Sequence, residues 1–134
     1  MMQINFWAVL VAAIANFVIG FLFHGPLFGK TWMRLANVTP TGNEKFSDMT
    51  PQMLKNLLAN IVFAYVMSTM LHYNNALGAT AGIVFGFWVW LGFIVTSSSM
   101  EVIWMKRSTK LWVFEMVSSL VAILAMGAII AAWQ

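Results

Sequence analysis

The chain contains no cysteine. Disulfides, thiolate metal ligands and a cysteine nucleophile are therefore excluded, and cysteine usage says nothing about the redox compartment. Charge is scarce as well: Lys, Arg, Asp and Glu make up 8% of 134 residues, where a soluble domain carries about 25%. A chain with so little charge has no ordinary water-facing surface. Acids are scarcest, with four in all, and none falls in the middle of an apolar run. A proton-coupled mechanism would want one there. The two histidines, His24 and His72, fall at opposite ends of the bilayer and so cannot share a metal, and neither has a second His, Asp or Glu at ligand spacing. No metal and no cofactor is expected. Nucleophile elbows, phosphate-binding loops and paired catalytic carboxylates are also missing, so no enzyme is expected. Residues Met1 to Phe6 hold no Lys or Arg, and the apolar run continues past Ala13-Ile14-Ala15, so a cleaved signal peptide is not expected either.

What the chain has in abundance is apolar sequence, 61% of its residues. Asn5 to Phe23 is one nearly unbroken run, about 28 Å of helix and enough to cross a bilayer core. Three more follow, giving spans at residues 5–23, 51–73, 79–101 and 111–133 of a single domain. Thr50-Pro51 marks a helix start, Asn74-Asn75 a tight turn, and Lys106 to Lys110 a basic loop. The polar stretch Asn37 to Thr50 is a loop as well. The expected fold is all-α, an integral membrane four-helix bundle.

All seven basic side chains (Lys30, Arg34, Lys45, Lys55, Lys106, Arg107 and Lys110) lie in or beside two of the three connections. The tight turn and both tails have none. The positive-inside rule places those two connections in the cytoplasm and both termini outside. The net charge of +3 is thus explained by topology, and no nucleic-acid partner is expected. The Asn37-Val38-Thr39 glycosylation acceptor pattern falls on the cytoplasmic side, where it would go unused.

Gly25-Pro26 ends the first run, because proline lacks an N–H and clashes with the preceding turn. Beyond it Leu27, Phe28, Trp32 and Leu35 recur opposite Lys30 and Arg34, as in a short amphipathic segment lying in a membrane interface. His24, Pro26, Gly29, Lys30 and Trp32 form this interfacial motif.

Two stripes of small residues suit close helix approach. Gly78, Gly82 and Gly86 lie on one face of the third span; Ala8, Ala12, Asn16 and Gly20 lie on one face of the first. They pack two helices within the bundle or form a subunit interface. Polar residues collect on the inner side of every span: Asn16, Asn60, Ser97, Ser98, Ser118 and Ser119, with Glu101 and Glu115 nearer the surface. This shallow layer is either interhelical hydrogen bonding, worth roughly 0.6 kcal/mol per pair, or a vestibule for a solute. The two acids are expected to pair with Lys106, Arg107 or Lys110.

The segments Asn5-Phe6-Trp7-Ala8-Val9-Leu10-Val11-Ala12-Ala13, Pro26-Leu27-Phe28-Gly29-Lys30-Thr31-Trp32-Met33, Leu91-Gly92-Phe93 and Met126-Gly127-Ala128-Ile129-Ile130 resemble an uncharacterised family of small four-helix bacterial integral membrane proteins. That family is described only as a domain of unknown function. The resemblance covers nearly the whole chain, and Pro-x-x-Gly-Lys-x-Trp is its most specific part. Phe23-His24 stands where the family usually has Trp-Tyr. The resemblance implies a bacterial inner membrane and brings no catalytic residues.

Taken together, these features predict a structural or accessory membrane module acting through helix packing and oligomerisation. Its partners would be membrane lipid and either further copies of itself or another membrane protein. The alternative is a small oligomeric transporter or channel for a solute or ion, using the polar layer near the cytoplasmic side.

Overall fold

The computed structural model describes residues 4–37 and 50–133, and these are helical with no strand. Most of the loop expected between Asn37 and Thr50, including Lys45 and the Val38-Thr39 part of the acceptor pattern, lies outside the described residues. Helix α1 is Phe6–His24. Helix α2 is Gly29–Ala36 and α3 is Thr50–Tyr73. Helix α4 is Ala79–Trp104, and α5 is Thr109–Ala132. All but the short α2 are long and apolar enough to cross a membrane.

Local chemistry sets the helix ends. The Asn5 side chain caps α1 by accepting from the N–H groups of Trp7 at 3.1 Å and Ala8 at 3.3 Å, satisfying donors that have no partner within the helix. Ser108 caps α5 the same way, accepting from Leu111 N–H at 3.3 Å. Thus α5 starts two residues before the expected Leu111. At the far end of α1, Pro26 cannot donate, and Leu27 N–H reaches back five residues to the Leu22 carbonyl at 3.0 Å. A Cβ on Gly25 would stand 2.8 Å from the Phe21 carbonyl oxygen, so the chain turns there on a residue without a side chain. Gly29 N–H bonds the Gly25 carbonyl at 2.8 Å, and α2 begins. It ends on Asn37, whose φ of 57° is left-handed.

α4 is not regular. Trp90–Val95 is wound as a π-helix between two α-helical stretches, Ala79–Val89 and Thr96–Trp104. The helix reaches Trp104, three residues past the expected Glu101.

α5 is the hub. It packs along α4 and α1 and touches α3, while α1 packs along α3. Although consecutive, α3 and α4 do not close on each other. An apolar notch of about 190 Å³ lies between them, lined by Phe63, Val66, Met67, Met70, Val89 and Phe93. The buried core joins Val9, Ala12 and Ala13 of α1 to Ala64, Met67 and Leu71 of α3 and to Ile123, Met126 and Ile130 of α5.

Two backbones meet at the crossing of α4 and α5. A Cβ on Gly82 would overlap the Gly127 carbonyl oxygen and come within 2.7 Å of the Ala131 Cβ, and a Cβ on Gly127 would overlap the Gly82 carbonyl. Four residues on, a Cβ on Gly86 would sit 3.1 Å from the Ile123 carbonyl oxygen. In lipid, where apolar burial gives no net drive, such van der Waals contact holds helices together. The partner of this glycine face is α5, not the small-residue stripe of α1. Gly78 does not belong to the face. It sits in the turn before α4 with φ of 89°, and a Cβ there would meet nothing within 4 Å, so its glycine serves the turn conformation. Gly20 likewise has open space where a Cβ would be, whereas Ala8 and Ala12 are fully buried.

The turn from α3 to α4 places Asn75 at φ of 53°. Gly78 N–H then donates to the Ala131 carbonyl at 3.0 Å, and Asn5 Nδ2 donates to the Trp133 carbonyl at 2.8 Å. Both described ends of the chain and this turn therefore share one end of the bundle, here the turn end. α2 and residues 105–108 occupy the other, the basic end.

Candidate functional site

Packing of α1 on α3 is tight at the turn end, where alanines face each other. It loosens toward the basic end. The change comes at Asn16 and Asn60, where Asn16 Nδ2 donates to Asn60 Oδ1 at 2.9 Å. From there to the basic end a cleft of about 450 Å³ opens between the two helices. On the α1 side it is lined by Asn16, Phe17, Gly20, Phe21 and His24. Gln52, Met53, Asn56 and Asn60 line it from α3. Gln52, Asn56 and Asn60 recur every four residues and so form one column of carboxamides. Gly20 contributes empty space in place of a side chain. The volume falls in the usual range for a small-ligand site, roughly 300–1,000 Å³.

His24, in the last turn of α1, forms the floor of the cleft at its basic end. Its Nδ1 lies 2.8 Å from the Gly20 carbonyl oxygen, and its Nε2 lies 3.0 Å from both carboxylate oxygens of Glu115 on α5. Both partners accept, so either both ring nitrogens donate or the carboxyl holds the second proton. The pair is net neutral in either case. Aromatic rings fix the imidazole from two sides: Trp32 at 5.3 Å between centroids and Phe114 at 5.7 Å, both edge-on. Phe23 and Phe28, with centroids 5.2 Å apart, complete the cluster that seats α2 against α1 and α5. The expected partner of Glu115 is a loop cation. The residue that reaches it is instead His24, because α5 carries Glu115 on the face toward α1. Glu101 does pair with Arg107.

The remaining polar residues do not join the cleft, and the expected single layer is divided among separate seams. Trp90 Nε1 donates at 3.0 Å to both the Met116 carbonyl and Ser119 Oγ. Trp112 Nε1 donates to Ser98 Oγ at 2.9 Å, and Ser98 in turn donates to the Ile94 carbonyl at 2.7 Å. These four side chains tie α4 to α5. Ser118 is buried and Ser97 is exposed. In the interfacial motif, Gly29 is buried, Lys30 is exposed and Trp32 leans on His24. Among the described residues no group of three His, Asp or Glu comes together as a metal site.

Sequence reasoning missed Phe17, Phe21, Gln52 and Met53, and it missed the His24–Glu115 pair. Gln52 had a signal, since it extends the column Asn56, Asn60 by one step of four. The pair had none, because its members are 91 positions apart and no pattern fixes which face of α5 meets α1.

No curated protein and no solved structure matches the chain. A family does, over residues 7–131, and this nearly full-length match agrees with the four-helix resemblance read from the motifs. The chain belongs to the family described as protein of unknown function, DUF1761.

Proposed function

We propose that the chain is a non-enzymatic, non-conducting module of a bacterial inner membrane, with both termini on the non-cytoplasmic side. It acts by packing against a second copy of itself or another membrane protein. The observation that carries this reading is the closure of the bundle beyond the Asn16–Asn60 bond. A solute leaving the cleft toward the turn end would meet Ala8, Ala12, Ala64 and Leu71, none of which has exposed surface. Ser98 and Ser119, two of the serines that would extend a polar route, are bonded within the α4–α5 seam.

A packing role is supported by the outward side of α4. Only 11% of its apolar stretch is buried, against 33% for α5. Gly92 and Thr96 stand exposed there one turn apart, and small residues at that spacing admit a neighbouring helix. The orientation rests on the complete bias of Lys and Arg toward the basic end.

The test uses the absence of native cysteine. Thr96→Cys in native membranes should give a covalent adduct under oxidation, a dimer or a larger partner complex. Proteoliposomes should show no flux across a panel of ions and small solutes. Flux abolished by Asn60→Leu in a protein that still folds would establish the transporter reading instead. Single cysteines at Asn75 and Thr109 should be labelled from outside and inside, respectively.

A further inference from the structure

We propose that the α1–α3 cleft holds the uncharged, hydroxyl-rich headgroup of a membrane lipid. This goes beyond the packing role above and does not depend on it. The chemistry of the lining selects the ligand. Gln52, Asn56 and Asn60 form a column about 12 Å long at helical rise, and each carboxamide both donates and accepts. A hydroxyl does the same, so a polyol can satisfy several amides at once. A carboxylate or an ammonium would satisfy only half of each. Ionic ligands are further disfavoured because the ionisable group at the floor, His24, is already engaged by Glu115 as a net-neutral pair. Among the described residues, no Lys or Arg lines the cleft.

The geometry selects a lipid over a free polyol. Every described lining residue comes from α1 or α3, so the cleft is a notch in one helix seam and its mouth opens sideways from the bundle. Phe21 is half exposed at that mouth, and Phe17 and Met53 stand beside the amides. An acyl chain leaving the notch would run along these side chains. Gln52 and Asn56 are exposed. On a helix apolar enough to span a bilayer, amides so placed gain from any partner that replaces water.

Native mass spectrometry of the purified protein in mixed micelles tests this. The micelles hold equal amounts of monoglucosyl diacylglycerol, phosphatidylcholine and phosphatidylglycerol with matched chains. The glucosyl lipid should be retained about fivefold over phosphatidylcholine, as one additional net hydrogen bond would give. Asn56→Leu, an exposed position whose change leaves the core intact, should bring the two to parity with no loss of thermal stability. Ser97→Ala, outside the cleft, should leave the preference unchanged. Equal retention by the native protein, a preference that survives Asn56→Leu, or a preference for phosphatidylglycerol would each overturn the proposal. So would displacement of the glucosyl lipid by an equal concentration of glucose, since the site would then belong to the free sugar.

Discussion

The two ends of this bundle are built on opposite terms. At the turn end, side chains are removed until backbones touch: Gly82 lies on Gly127, and Ala8, Ala12 and Ala64 are fully buried. At the basic end, side chains are large, aromatic or polar, and α1 stands off from α3 around a cleft. The first arrangement gains contact energy and leaves no room. The second leaves room and must satisfy each polar group individually, as His24 does with Gly20 and Glu115. Within one small chain, rigidity and ligand capacity are thus assigned to different ends of the same helices.

The contrast is broken most directly at the glycine crossing. Gly82→Leu forces a side chain into the Gly127 backbone and should cost about 3 kcal/mol or more. The expected result is a monomer whose thermal unfolding in detergent falls sharply. Unchanged stability would mean the two helices separate readily and the turn end is not the rigid one. Next comes the floor of the cleft. Glu115→Ala leaves His24 Nε2 without its partner and should cost about 2 kcal/mol, within the range for hydrogen bonds to charged groups. Loss of thermal stability equal to that of Gly82→Leu would instead place the His24–Glu115 pair among the main supports of the fold.

At the boundary between the regimes, Asn16→Leu removes one interhelical hydrogen bond and should cost roughly 0.6 kcal/mol. A double-mutant cycle with Asn60→Leu should return a coupling of that size. A near-zero coupling would show that the apex of the cleft is held by its neighbours. Trp88→Leu, on the outward side of α4, should be the mildest, leaving thermal unfolding of the monomer within about 0.5 kcal/mol of the parent.

The same contrast governs what the sequence can reveal. The four spans are legible because each is a long apolar run with polar or basic punctuation, a signal that depends only on residues near in sequence. The turn at Asn74-Asn75 and the break at Gly25-Pro26 are legible for the same reason. Relations between helices are not. Gly78, Gly82 and Gly86 are equivalent on a helical projection, yet the first is a turn residue and the other two face α5, because the helix begins only at Ala79. Gly20 falls on a small-residue stripe with Ala8 and Ala12, yet it opens a cleft where they close one. Sequence proximity assigns Glu115 to the loop cations, and its partner comes from the end of α1. In each case the deciding quantity is the rotation of one helix against another, which composition and spacing along a single helix do not contain.

The π-helical turn in α4 can be understood as a correction of phase. In an uninterrupted α-helix, Ser98 would lie about 160° around the axis from Gly82, and the two could not both face α5. Yet Gly82 touches Gly127 of α5, and Ser98 receives the indole N–H of Trp112 on the same helix. A wider turn over Trp90–Val95 takes up one surplus residue and brings the separation down to about 60°. Shortening this stretch by one residue, for example by deleting Gly92, should therefore give a regular α-helix that still presents both halves to α5. The same deletion within Ala79–Val89 would rotate the glycines away from Gly127 and undo the crossing. Tolerance to a lost residue should differ sharply between two adjacent stretches of one helix.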